Sequence, residues 1–256
     1  MEKDKNPSAP RAKNKEINLD KYYKAPDSLS VRSLNFGLWF ATKRKPQVMS
    51  NKNLIADLLI SAPQIFDNHG SYDLTLKMKN PNDKFMAHFD YCFWQAGEEK
   101  ICQAGFIFPG EDKYLLALGQ KLSSTADVSF RLKNLSWQRI NTHIYPDWAN
   151  FYKTHTDFVA TNIKFNETEG LGGDLNNLEF TLSNYTPYNF WAVPFDILIF
   201  NGNDLISVNT YTAKEFLSQE AKTIKLNWGN RLGNSKSITI VPNLDIVASD
   251  IYIKTR

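Results

Sequence analysis

Residues 74–97 read LTLKMKNPNDKFMAHFDYCFWQAG, and residues 178–202 read LEFTLSNYTPYNFWAVPFDILIFNG. A fold for this chain has to accommodate the same pattern twice. The matches continue in order. DFVATNIKF (157–165) corresponds to LIADLLI (54–60) and its neighbours, KEFLSQEAKTIKLNWG (214–229) to GFIFPGEDKYLLALG (105–119), and SITIVPNLDI (237–246) to VSFRLKNLSW (128–137). The spacing drifts slowly: Asn80 to Asn184 is 104 residues, Phe89 to Phe195 is 106, and both Glu111 to Glu220 and Asn134 to Asn243 are 109. Five matched segments with a drift absorbed between them are the signature of a duplicated unit whose loops vary.

Within each copy the apolar residues recur with period two. In YDLTLKMKN (72–80), Leu74, Leu76 and Met78 alternate with Thr75, Lys77 and Lys79. FDYCFW (89–94), ICQAGFIF (101–108), KYLLALG (113–119) and ADVSFRLKNLSW (126–137) follow, separated by the turn chemistry of NPND (80–83), AGEE (96–99) and PGED (109–112). Short alternating runs between Gly, Pro and Asn turns predict β-strands of a sandwich or barrel. The 17 Phe, 11 Tyr and 6 Trp against 4 Met lean the same way. The expected architecture is all-β: two tandem immunoglobulin-like sandwiches at 51–142 and 156–256, a linker at 143–155, and a basic, mostly disordered tail at 1–50. Aromatic residues in the linker, NTHIYPDWANFYKTHT (141–156), predict that the two units lean on each other. Pro194 predicts an edge strand or a bulge. The almost continuously apolar FDILIF (195–200) predicts a strand covered on both faces, by the neighbouring unit.

Charge is unevenly distributed. Residues 1–50 carry eleven Lys/Arg against five Asp/Glu, and the rest of the chain carries nineteen against twenty-two. A net-negative body gives no reason to expect nucleic acid, which needs concentrated positive surface. SLNFGLWFATKRKP (33–46) reads either as an interfacial helix with a basic end facing anionic headgroups or as a linker whose aromatics dock on the body. The apolar run FGLWFA (36–41) is far short of the ~20 residues of a transmembrane helix. The charged, proline-bearing N-terminus has no apolar core of a signal peptide, so none is expected.

Sites of chemistry are sparse. Cys92 and Cys102 lie symmetrically about Gly97 in a predicted hairpin; they read first as two small buried residues and second as a cross-strand disulfide. His69, His88, His143 and His155 show no metal-binding spacing. His143 and His155, near Asp147 and Asp157, read as solvated linker residues rather than ligands. GLGGD (170–174) reads as a loop, because it does not join a strand to a helix as a dinucleotide site requires. Asp90 and Asp196 recur at matched positions, and a repeated structural hydrogen bond explains them better than catalysis. No catalytic residue, metal or cofactor is expected. Five aromatics, Trp137, Tyr145, Trp148, Tyr188 and Trp191, are candidates for surface contacts.

YDLTLKMKNPND (72–83), FIFPGEDKYLLALG (106–119), YNFWAVPFDILIFNGNDLISVN (188–209) and IVPNLDIVASDIYIK (240–254) together resemble uncharacterised proteins of uncultured small-genome bacteria with tandem FxLYD-like, immunoglobulin-like domains. The resemblance covers 33–46 and 70–256 and implies no activity. It implies a membrane helix after the equivalent of LNFGLWFATKRKP, with the sandwiches outside the membrane. Here Pro46 runs straight into QVMSNKNLIADLL with no apolar span, so the span was either removed or lost. The basic cluster beside it suits the positive-inside rule. The expected role is a non-enzymatic cell-envelope module that binds a protein partner or envelope component through strand edges and loops, with possible membrane contact through 33–46. A carbohydrate-binding accessory module is the alternative, an enzyme with a scattered site is a third reading, and a cytoplasmic location is the alternative to the envelope.

Overall fold

The structure is a computed structural model, and it describes residues 55–168, 175–228, 232 and 237–254. The expectations for the tail at 1–50, for its 33–46 segment and for the loop at 170–174 lie outside the described residues. The body is all-β and built from antiparallel sheets.

In the first half the strands are β1 (Leu59–Ile60), β2 (Gln64–Asp67), β3 (Tyr72–Lys79), β4 (Phe85–Gln95), β5 (Glu98–Ile107), β6 (Asp112–Gln120) and β7 (Val128–Arg139). Sheet I centres on β3, with β6 on one side and β1 and β2 sharing the other; sheet II has the order β5-β4-β7. Helix α1 (Trp148–His155) follows. The second half holds β8 (Phe158–Thr168), β9 (Leu175–Asn184), β10 (Phe190–Asn201), β11 (Asp204–Phe216), β12 (Ala221–Trp228) and β13 (Ser237–Pro242). Sheet III is β12-β9-β8 and sheet IV is β11-β10-β13. The pairings repeat one for one, with β8 replacing the split β1/β2. The duplication legible in the sequence is therefore a duplication of strand pairing.

Alternation places one face of every sheet inside. Leu74, Leu76 and Met78 of sheet I meet Phe89, Tyr91 and Phe93 of sheet II. Leu178, Phe180 and Leu182 of sheet III meet Phe195, Ile197 and Ile199 of sheet IV. A Cβ at Gly105 in β5 would lie 2.6 Å from the buried Phe89 ring, so a larger residue there would force that ring to shift. Met86, Phe108 and Ile140 of the first half pack into the second cluster, so buried contacts cross between the halves.

Each copy is locked at the same corner by a buried asparagine. Asn80 Nδ2 donates to the carbonyls of Phe85 (2.7 Å) and Phe108 (2.9 Å), and its Oδ1 accepts from the Asn82 amide (3.0 Å). Asn184 Nδ2 donates to Tyr188 (3.0 Å) and Leu217 (2.9 Å), and its Oδ1 accepts from the Thr186 amide (3.0 Å). Glu111 and Glu220 close the opposing turns by accepting from the amides of Phe108 and Leu217. Both turns need a left-handed residue, supplied by Gly110 (φ +70) and Gln219 (φ +62).

Four expectations change. LIADLLI (54–60) belongs with the strand-like runs of the sequence, but among its described residues only Leu59–Ile60 pairs, both are exposed, and Pro63 separates them from β2. Pro194 lies in the central strand of sheet IV, and the β10 irregularity falls at Ile199/Phe200 instead. Its carbonyl accepts from Asn243 N–H (2.8 Å), so the missing amide hydrogen faces the end of the β13 ladder, where it costs nothing. The segment 141–156 contains a helix capped by Asp147, whose side chain accepts from the Asn150 amide, and His155 is buried rather than solvated. Finally, Cys92 and Cys102 oppose each other across the β4–β5 ladder and form a disulfide, with Cys102 exposed.

Replacing Asn80 or Asn184 by Ala strands buried carbonyls. Each is expected to lower unfolding free energy by roughly 2–4 kcal/mol in urea titrations; a loss below about 0.5 kcal/mol would remove the corner from the account. The disulfide closes a loop with a sequence separation of 10. Its replacement by a Cys92→Ala/Cys102→Ala pair is expected to cost about 2–3 kcal/mol by the same measurement.

Candidate functional site

The outer face of sheet IV has no wet side near its centre. In β10 the residues alternating with the core, Asp196, Leu198 and Phe200, point towards the first half. Leu198 packs with Leu205 and Val208 of β11 and Leu116 of β6, and Tyr114 and Phe200 meet edge to face at 6.5 Å. Beside this seam lies a cavity of ≈ 400 Å³ walled by Leu198, Phe200, Val241, Pro242 and Tyr114, with Lys113 and Asp196 among its polar lining. Lys77 and Asp112, ion-paired at 2.9 Å, lie at its exposed rim.

Asp196 is 4% exposed. Burial pushes its carboxyl up from 3.8 to about 6, despite the opposing attraction of Lys113 and a 3.0 Å hydrogen bond from Asn243 Nδ2. The equivalent Asp90 accepts from Asn134 Nδ2 but is only half-buried. The recurrent Asp–Asn hydrogen bond is thus structural in both copies, and in the second it also lines a cleft.

Lys113 is 6% exposed and shares the core-facing side of β6 with Leu115 and Ala117. Its ammonium donates to the Phe106 carbonyl (3.0 Å) and stands 3.3 Å from the Phe106 ring centroid. Burial holds its pKa below the usual lysine value, against the pull of Glu111, Asp196 and Asp245. A second contact between the halves is His88 Nε2 to Asp245 Oδ2 at 3.0 Å.

Helix α1 closes one end. Phe108 of the first half packs on Trp148 and Tyr152 at 5.4 and 5.7 Å, while His155 stacks on Tyr188 at 4.1 Å. His155 Nδ1 lies 2.7 Å from the Phe151 carbonyl, which fixes Nδ1 as the protonated nitrogen. Trp148 and Tyr152 also line a hollow of ≈ 440 Å³ that shares Glu111, Asp112 and Tyr152 with the first cavity. Burial raises the Tyr152 hydroxyl to about 12, so it remains a proton donor.

The five aromatics singled out from the sequence do not form one platform. Tyr145 and Trp148 meet at 5.9 Å, and Tyr188 joins them through Phe151 and His155. Trp137 packs on the first core, and Trp191 stands apart at 53% exposure. Sequence reading missed Lys113, although a lysine in register with Leu115 and Ala117 is visible in KYLLALG.

Chemically, the cleft offers an apolar slot ending in a buried carboxyl and a buried ammonium. That arrangement suits recognition of a polar group carried on an apolar body. No protein-family model and no curated protein sequence matches the chain. Among solved structures, a red sea bream transglutaminase aligns at 10% identity with a TM-score of 0.23, over 90% of this chain and 36% of that one. This chain spans little more than a third of that enzyme, and so distant a likeness constrains neither fold nor chemistry.

The sign of the Asp196 effect is fixed. Its folded pKa lies above the ordinary 3.8, so the folded state holds the proton more tightly, and stability from this group declines as pH rises through about 6. Asp196→Asn keeps an acceptor for Asn243 and removes the charge. At about pH 7.5 the variant is expected to be more stable by roughly 1–3 kcal/mol, an advantage that vanishes near pH 4. Paired urea titrations across this range measure the difference; a pH-independent offset would show that Asp196 is not the titrating group.

Proposed function

We propose that the chain is a non-enzymatic binding or assembly module of the cell envelope, in which two immunoglobulin-like sandwiches hold a fixed cleft towards a protein or envelope partner. The buried seam of Leu116, Leu198, Leu205 and Val208 carries this reading, because it sets the geometry of the cleft before any partner arrives. An outer location is supported by the Cys92–Cys102 disulfide, a bond that persists in oxidising compartments. It is also the arrangement implied by the resemblance to FxLYD-like envelope proteins. Among the described residues no helix is long and apolar enough to cross a membrane. Membrane contact would fall to residues 33–46, and the net-negative body argues against nucleic acid.

Carbohydrate binding remains a second reading because Trp148 and Tyr152 line a hollow beside Glu111 and Asp112. Rings that stack on sugar faces next to carboxylates that accept sugar hydroxyls are the chemistry such a module needs.

A photo-crosslinking residue at Thr239, in the cleft, is expected to give one discrete product in envelope extracts, and the same residue at Thr223, on the outer face of sheet III, none. Val241→Arg should abolish that product. Equal labelling at both positions, or none at Thr239, would overturn the cleft as the contact surface. Tryptophan-fluorescence titration with polysaccharide, lost in Trp148→Ala, would decide for the sugar reading instead.

A further inference from the structure

The Cys92–Cys102 disulfide lies apart from the residues that line the cleft. Its two sulfurs are not equivalent. Cys92 is fully buried on β4, the central strand of sheet II, whereas Cys102 is exposed on β5. Among the described residues β5 pairs with no strand but β4, so the far side of Cys102 is an open sheet edge. On the other side of Cys92, directly across the β4–β7 ladder, stands Arg131, with its guanidinium 4.3 Å from the Trp94 ring centroid.

Thiol–disulfide exchange proceeds by in-line attack, with the incoming sulfur opposite the leaving one. In-line approach to Cys102 comes from the open edge. In-line approach to Cys92, which is fully buried, would have to come from the β7 side, where Arg131 stands in register with it. The leaving group is favoured in the same direction, because a thiolate on Cys92 faces Arg131 across a strand spacing of about 4.5–5.5 Å between Cβ atoms. The Glu99 carboxylate lies within 4.8 Å of both sulfurs and opposes a negative charge there, but it is ion-paired with Lys133.

We propose that the Cys92–Cys102 bridge is a directional thiol-exchange site, opened from the sheet edge by a small thiol of the glutathione class attacking Cys102 Sγ. The thiolate bonds to Cys102 Sγ as the Sγ–Sγ bond breaks, and its electron pair leaves on Cys92. A second small thiol attacks the first, releasing Cys102 and leaving the two small molecules joined as a disulfide. Two electrons and two protons pass to the protein, which ends with two thiols. The site reports the redox state of its surroundings independently of whether the cleft binds a partner.

Reduced glutathione with the folded full chain tests this, with protein thiols counted over time at increasing sub-denaturing urea. The expected rate is first order in glutathione and flat in urea; a rate that climbs with the slope of global unfolding would show that the bridge opens only in the unfolded chain and would overturn the proposal. Single variants test direction. In Cys92→Ser, the remaining Cys102 is expected to form a mixed disulfide with oxidised glutathione at least ~10-fold faster than Cys92 does in Cys102→Ser, by intact mass. Equal rates, or a faster Cys92, would sink the directional assignment.

Discussion

At its centre sheet IV has no side left for water, and much of the molecule follows from that. Its inner face forms the core with sheet III, and its outer face carries Leu198 and Val208 against Leu116 of the first half. An antiparallel sheet ordinarily keeps one face wet. Here the second face is covered by the other copy, which ties the halves together and buries Asp196 and Lys113 at the margin. Helix α1 completes the closure by filling the corner between Phe108 and Tyr188 with rings.

Duplication made this possible without inventing new local structure. The asparagine corners, the glutamate-closed turns and the Asp–Asn hydrogen bonds are the same devices in both copies. What differs is surroundings. Asp90 sits half-buried on the outer face of sheet II, whereas its counterpart Asp196 is enclosed and burial pushes its carboxyl up to about 6. One sequence position thus yields a passive hydrogen-bond acceptor in one copy and a protonatable wall of a cleft in the other.

Most of the fold was legible because period-two alternation and turn residues are local signals. The double coverage of β10 was also legible, from the almost continuously apolar run FDILIF. The misreadings have one origin, which is that the sequence does not state what lies across a gap. Pro194 is tolerated in a central strand only because β13 stops beside it. His155 is buried between Phe151 of its own helix and two rings distant in sequence, Tyr188 and Tyr252. The disulfide depended on a register that the hairpin symmetry suggested but did not fix. For the candidate site, Lys113 on the core side of its strand and Asp196 in an apolar run were visible anomalies, whereas their convergence needed the packing of the halves.

The first edge of each copy is interrupted, by different means. Along β3 the edge is split by Pro63 into β1 and β2, and along β9 the continuous β8 is bent by a bulge at Asn162, whose φ is +53. Neither rim offers a long straight row of unpaired amides and carbonyls. Stacking of one molecule on the next through these two rims is therefore frustrated.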